Sequence, residues 1–159
     1  MIDPREFRTT LGRFATGVTV VTMCQDDAVY GITVNAFMSV SLKPPLVAVA
    51  IDKRANAHQT LLEVDRFAVS MLREDQEALS NLFAGYPSDA VAEYVDVDGM
   101  PLLDGSLGQL VARITAAHEA GDHTIFVGQV EHLAYESGDP LLYYQGAYGR
   151  METSPATAP

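Results

Sequence analysis

The side chains in this sequence with the means to do chemistry are few and scattered. Histidine occurs four times, at His58, His118, His123 and His132. Only His118 and His123, with Glu119 and Asp122 between them, combine residue types that suit a metal. Zinc sites show tighter local spacing than this, so no metal is expected. Cys24 is the one cysteine; it falls in an apolar strand pattern, where a thiol behaves as a small buried residue, and it leaves no intramolecular disulfide to form. No G-x-G-x-x-G follows a strand pattern, no Walker loop occurs and no G-x-S-x-G elbow is present. A Rossmann dinucleotide site, a P-loop and an acyl-transferring serine are therefore not indicated.

What remains is the stretch Gly31 to Asp52, GITVNAFMSVSLKPPLVAVAID. Ile32, Val34 and Ala36 alternate, Ser39 and Ser41 form a small polar cluster, Pro44-Pro45 turns the chain, and a second apolar run covers Leu46 to Ile51. Apolar runs bounded by turn signals read as strands. The small residues between them would admit a ligand to backbone N–H and C=O groups, a common way to hold a flat heterocycle. Read alone, the same pattern also describes a plain β-hairpin with a polar connection.

The elements that would position this stretch follow from capping and periodicity. Asp3, Pro4 and Glu6 open a helix as N-cap, first helical residue and capping-box partner. Phe7, Leu11 and Phe14 share one face of it, which should pack on the domain, and Gly17 is the expected C-cap. Val18 to Cys24 reads as a strand, turned back by Gln25-Asp26-Asp27. After Lys53-Arg54-Ala55, Asn56 is the expected N-cap of a helix from His58 to Val64. Arg66 to Leu72 is a strand, and Asp75 to Ala84 a helix with Leu79, Leu82 and Phe83 on its apolar side. Gly85 to Gly108 reads as a long irregular loop of the kind that forms lids or mobile surface segments. Gln109 to Ala117 and Thr124 to Leu133 are long strands joined through Glu119 to His123, and Leu141 to Gln145 is a last short strand. Strands and helices do not alternate regularly, so a mainly β protein with a few helices, an antiparallel barrel, is expected rather than a doubly wound sheet.

With 159 residues the chain suits a single domain, over 1–151, with a disordered tail over 152–159. A net charge of −11 without a basic run excludes nucleic acid and an anionic membrane surface as partners. No apolar stretch reaches spanning length and MIDPREFR is not a signal peptide, so a cytoplasmic location is expected.

Three stretches and the chain's opening carry a family resemblance. The first is Gly31-x-Thr33-x-Asn35-Ala36-Phe37-x-Ser39-Val40-Ser41-x-x-Pro44-Pro45-Leu46. The second is Ala120-Gly121-Asp122-His123 with the strand after it, and the third is Pro140-Leu141-Leu142-Tyr143-Tyr144-Gln145-Gly146-x-Tyr148. The opening is FRTTLGRFATGVTVVT. In order and spacing these resemble the flavin reductase family with the FMN-binding split-barrel fold. Its members are small NAD(P)H-dependent reductases that supply reduced flavin to two-component monooxygenases. The resemblance runs from about Phe7 to Arg150.

It implies an antiparallel split β-barrel, FMN or FAD as flavin, NADH or NADPH as hydride donor, a homodimer, and a flavin-dependent monooxygenase as partner. Gly31, Ile32, Thr33, Val34, Asn35 and Ala36, with Ser39, Val40 and Ser41, would contact the flavin ring and ribityl chain, largely through backbone. Ala50, Ile51 and Asp52 would flank the flavin, and Lys53, Arg54, Asn56 and Ala57 would meet its phosphate. A helix N-terminus after Asn56 suits that anion. His123 would stand where the nicotinamide stacks and act as the catalytic residue. Tyr143, Tyr144, Gln145, Gly146 and Tyr148 would line the cofactor region, and Phe83 would cap a ring. Two departures stand out: Ala57 replaces a serine and Gln145 an arginine of the usual pattern, each a polar handle lost. The runner-up reading is a non-catalytic flavin or haem carrier on the same barrel. A relative of the pyridoxamine-phosphate oxidases ranks below it, for want of a basic cluster beyond Lys53 and Arg54.

Overall fold

The structure, a computed structural model, describes residues 1–152. The expected disordered tail lies outside the described residues from residue 153 on. In chain order the elements are α1 (Pro4–Leu11), β1 (Thr16–Gly17), β2 (Thr19–Gln25), β3 (Ala28–Val34), β4 (Phe37–Leu42), β5 (Pro45–Asp52), α2 (Asn56–Glu63), β6 (Arg66–Met71), α3 (Glu77–Phe83), β7 (Tyr94–Val97), β8 (Met100–Leu103), β9 (Gly108–Ala120), β10 (His123–Tyr135), β11 (Leu142–Tyr144) and β12 (Ala147–Gly149). No helix among the described residues is long and apolar enough to cross a membrane.

Seven strands form one antiparallel sheet in the order β3-β2-β6-β9-β10-β5-β4. Its two edges, β3 and β4, are consecutive in the chain and joined only by Asn35 and Ala36. Laid flat, the edges of seven strands would stand about 29 Å apart, six gaps of about 4.8 Å. A two-residue link reaches only about 11 Å, three Cα–Cα steps of about 3.8 Å. The sheet must therefore curl until its edges meet. The N–H of Ala50 donates to the C=O of Ala36 at 3.0 Å and ties that corner to β5.

Alternation fills the inside. Val21, Met23, Val49, Ile51, Phe67, Val69 and Phe126 are buried in one cluster. Gly128 lets β10 press against it: a Cβ there would lie 2.8 Å from both the Phe67 ring and the Ala112 methyl. His58, buried on α2, bonds Thr124 Oγ1 through Nε2 at 2.8 Å and meets the Phe126 ring edge-on, fastening α2 to the barrel.

Several expectations need correction. The Asp3 carboxylate caps α1 through the N–H of Arg5, not Glu6. The helix stops at Gly12 rather than Gly17, because Thr16 and Gly17 are taken up pairing with β11. No α1 residue is buried: Phe7 and Leu11 are 54% and 53% exposed, and Phe14, which falls beyond the helix end rather than on its face, is 75% exposed. Phe37–Leu42, expected as a connection, is a strand bulged at Val40, held by pairing with β5 rather than by an apolar pattern of its own. Asn56 is the first residue of α2, whose cap is Ala55. The expected lid, Gly85 to Gly108, contains the β7–β8 hairpin, turned by Asp98 and Gly99 at positive φ. Leu102 and Leu103 are fully buried, the Leu103 N–H donates to Ser70 Oγ at 2.9 Å, and Thr22 Oγ1 donates to the C=O of Pro101. This segment is a packed cover on β2 and β6. Leu79, Leu82 and Phe83 are half-buried, and the buried residue of α3 is Ser80. Cys24 is half-buried rather than enclosed. The β9–β10 turn takes only Gly121 and Asp122, so His123 is a strand residue, and β12 was not expected.

Candidate active site

The corner that closes the barrel is also where the surface is hollow. Depressions of about 560, 470, 390 and 180 Å³ all have Asn35 in their walls. In the second of these, Ala36, Ala48 and Ala50 form a floor of small residues, bordered by Leu11, Phe14, Met38 and Ile125. The floor exists because β5 alternates: Val47, Val49 and Ile51 point into the core, leaving Ala48, Ala50 and Asp52 outward.

Cross-strand register sets the next row. Ala50 is paired with Ile125 and Asp52 with His123 on β10, so His123 stands one pleat beyond the alanine floor and on the same face. Its Nδ1 lies 2.7 Å from Asp122 Oδ1. An ionised carboxylate only accepts, so Nδ1 carries the proton and Nε2 is left to face outward as an acceptor when the ring is neutral. The same hydrogen bond holds the Asp122 carboxyl below the usual carboxylate range.

At the far end of this row lies a candidate anion site. Ala55 offers no side-chain cap to α2, no acidic residue occupies the first turn, and the helix therefore presents unpaired N–H groups. The expected cations are engaged by carboxylates. Arg54 grips Asp52 with Nε at 3.1 Å and Nη2 at 2.7 Å, and its N–H donates to Asp52 Oδ1 at 2.8 Å. The side-chain bonds from Arg54, then its backbone bond, hold the Asp52 carboxyl well below the ordinary range. Lys53 Nζ is 3.7 Å from Glu119 Oε1, a looser pair. Ala57 is buried and contributes backbone alone. The trio His118, Glu119 and Asp122 does not converge with His123 on a metal: among the described residues no group of three His, Cys, Asp or Glu side chains is placed to hold one.

The structure thus sets Asn35, Ala36 and Ala50 in the wall of the depression and Asp52 and His123 on the same face of the sheet one pleat on, while Lys53, Arg54 and Asn56 follow β5 in the turn and first helical residue beyond it. Ile32, Val34 and Ile51 point into the barrel, so only their backbone is available to a ligand. Gly31 and Thr33 face α3: the Phe83 ring lies over Gly31, where a Cβ would approach within 2.6 Å, and Thr33 Oγ1 donates to the C=O of Ser80 at 2.6 Å. Ser39 and Val40 are exposed and Ser41 half-buried on the edge strand. Tyr143 and Tyr148 meet edge-to-face at 5.5 Å, and Tyr148 Oη bonds Ser80 Oγ at 2.7 Å, walling the smallest depression. Tyr144, Gln145 and Gly146 are exposed; Gln145 Nε2 donates to Tyr144 Oη at 3.0 Å.

Sequence reasoning missed Thr16, Phe14 and Phe37. Thr16 lines both larger depressions, and its Oγ1, though buried, has no hydrogen-bond partner. An orphaned hydroxyl is costly unless a ligand completes it. With the alanine floor and the uncapped helix, it fits a flat polar ring bearing an anionic tail. The one sequence signal for it was a small hydroxyl residue before the first long strand.

A barrel closed at a two-residue corner, with a shallow cofactor-sized groove on the seam, defines a small split-barrel cofactor-binding protein. The sequence matches the flavin reductase like domain over residues 11–152. It is 46% identical to an NADH-dependent flavin reductase of a Rhodococcus species, covering 95% of this chain and 88% of that one. The reductase component of 4-hydroxyphenylacetate 3-monooxygenase from Thermus thermophilus is 44% identical over 91% of this chain and 95% of its own length. Among solved structures, the flavin reductase PheA2 superposes with a TM-score of 0.93 at 39% identity, covering 96% of this chain and all of that one. The chain belongs to the flavin reductase family.

Proposed function

We propose that this chain is an NADH-dependent flavin reductase that transfers hydride to FMN or FAD and passes the reduced flavin to a partner monooxygenase. The observation that carries the reading is the row Ala36–Ala50–Ile125 with His123 one pleat away and the open N-terminus of α2 beside it. When bound, the nicotinamide and the flavin supply the hydride chemistry between themselves. The chain's part is placement. Alanines at 36 and 50 let a ring approach the backbone, Thr16 Oγ1 finds its missing partner, and the α2 N–H groups with Arg54 receive a phosphate. His123 positions the nicotinamide through Nε2 while Asp122 fixes the imidazole. No general acid or base is needed, since orientation supplies most of the acceleration. The open groove suits a flavin that must leave after reduction.

The functional unit is one domain over 1–151, working as a cytoplasmic homodimer. Leu11, Phe14, Met38 and Ile125 border the groove and are exposed, an apolar rim that a second copy would cover.

Anaerobic mixing with FMN or FAD and then NADH or NADPH tests the activity. Rapid bleaching of the visible flavin band is expected with NADH. No bleaching with either nucleotide, despite bound flavin, would return the molecule to the carrier reading.

A further inference from the structure

The cations of this acidic protein are unevenly used. Of ten Lys and Arg residues, Lys53, Arg54, Arg73, Arg113 and Arg150 lie within 4.0 Å of a carboxylate. Arg66 donates to the C=O of Asp98. Among the described residues Arg5, Arg8, Arg13, Lys43 and Arg66 form no ion pair, and three of these five lie on α1 or just beyond it.

Arg8 and Arg13, with Thr9, Gly12, Gln145 and Gly146, line a cleft of about 360 Å³ in which there is no carboxylate. Its walls are fixed. The N–H of Gln145 donates to the C=O of Gly12 at 3.0 Å, pinning the β11–β12 turn to the end of α1. Gln145 and Gly146 both take positive φ, 51° and 79°, which makes that turn tight. At Gly12 a Cβ would crowd the Arg8 C=O at 3.1 Å. The neighbouring depression shares Arg8, Gly12, Gln145 and Gly146 and runs on to Asn35, so the cleft opens into the active-site groove.

We infer that the Arg8–Arg13 cleft binds a phosphate ester of a nucleotide cofactor whose ring is held at the Asn35–Ala50 groove. The inference rests on the reductase reading, because that reaction brings two phosphate-bearing molecules to one groove. The α2 end offers Arg54, already gripped on two atoms by Asp52, and Lys53 beside Glu119. Free guanidinium groups in a cleft without acids are the better-placed partners for a second phosphate, and their planar fork matches its oxygens.

The test compares phosphate-bearing and phosphate-free cofactors in the wild type and in the double variant Arg8→Gln/Arg13→Gln. NADH is set against N-benzyl-1,4-dihydronicotinamide, and FMN against riboflavin. The KM ratio of one phosphate-bearing cofactor to its phosphate-free counterpart is expected to rise at least tenfold. A rise in the nicotinamide pair assigns the cleft to the hydride donor, and a rise in the flavin pair to the flavin. Arg8→Lys/Arg13→Lys is expected to recover part of it. Ratios that stay within twofold in both pairs overturn the inference. Inorganic pyrophosphate, followed by phosphorus NMR, gives a readout that needs no turnover. Binding lost in the Gln variant supports the cleft even where the wild type oxidises no NADH, an outcome that would sink the reductase reading alone. Equal binding by both proteins overturns it.

Discussion

Arg54 grips Asp52 through two side-chain bonds and one backbone bond, and the acid behaviour of this pair is a direct check on the geometry. The folded-state carboxyl is depressed by its bonds to Arg54. A depressed carboxylate contributes stability that is present above its unfolded value, about 3.9, and lost only as pH falls through the lower folded value. Carboxyl NMR should therefore show Asp52 still ionised well below about pH 3.9, where an unperturbed aspartate protonates; an ordinary midpoint would mean that the pair does not form in solution. His123→Ala is expected to raise the NADH KM about tenfold, the effect of losing a positioning contact, while leaving flavin affinity nearly as it was. The opposite split would move His123 to the phosphate end. Thr16→Val separates the uses of a buried hydroxyl. Because Oγ1 has no partner, removing it should leave the free protein as stable or up to about 1 kcal/mol more stable, yet weaken flavin binding several-fold. A melting point that falls in the free variant would show that Oγ1 is satisfied without ligand.

Strands differ in how tightly their packing constrains them. Gly128 allows β10 to lie against Phe67 and Ala112, and neither can retreat from a core this dense. Gly128→Ala is expected to cost about 1–3 kcal/mol, read as a drop in melting temperature, and an unchanged melting curve would show that the core gives way there. Gly31 makes an instructive contrast, because its close neighbour is the ring of half-buried Phe83, which has room to turn. The same distinction decides what could be read from the sequence. β2, β5 and β6 were plain because their cores alternate or run apolar. β4 was not, since an edge strand with Ser39 and Ser41 is held by its partner and not by its own pattern. The β7–β8 hairpin hid behind Gly99 and Pro101, although Leu102 and Leu103 are fully buried. The site divides in the same way. Gly31 to Ala36 stood out as a local motif, while Lys53 to Asn56 showed only a helix start and took a cofactor role from the family resemblance. The placement of His123 opposite Asp52 depends on a register between β5 and β10 that only the folded sheet supplies.

The molecule as a whole leaves an amphipathic helix with its apolar side in water. The shared face of Phe7 and Leu11 was read correctly, while Phe14 falls beyond the helix end; what was missing is a surface to cover them. In the homodimer proposed above, that surface belongs to the second copy. Sedimentation at micromolar concentration should give twice the 17.2 kDa chain mass, and Phe14→Asp should shift the equilibrium to the single chain. A wild type that sediments as one chain would remove the homodimer from the account.

The two-residue corner at Asn35 and Ala36 has one more consequence. It joins β3 directly to β4, and Asn35 and Ala36 themselves form part of the groove wall. A cofactor lodged there would tie β4 and β5 to Phe14 and Thr16, which line the groove from the stretch after α1. Occupancy then becomes mechanical strength: a ligand at a hundred times its dissociation constant adds about 2.7 kcal/mol to the folded state. A reductase that surrenders its flavin at every turnover would loosen and tighten along this line with each cycle, and its lifetime would follow the supply of flavin around it.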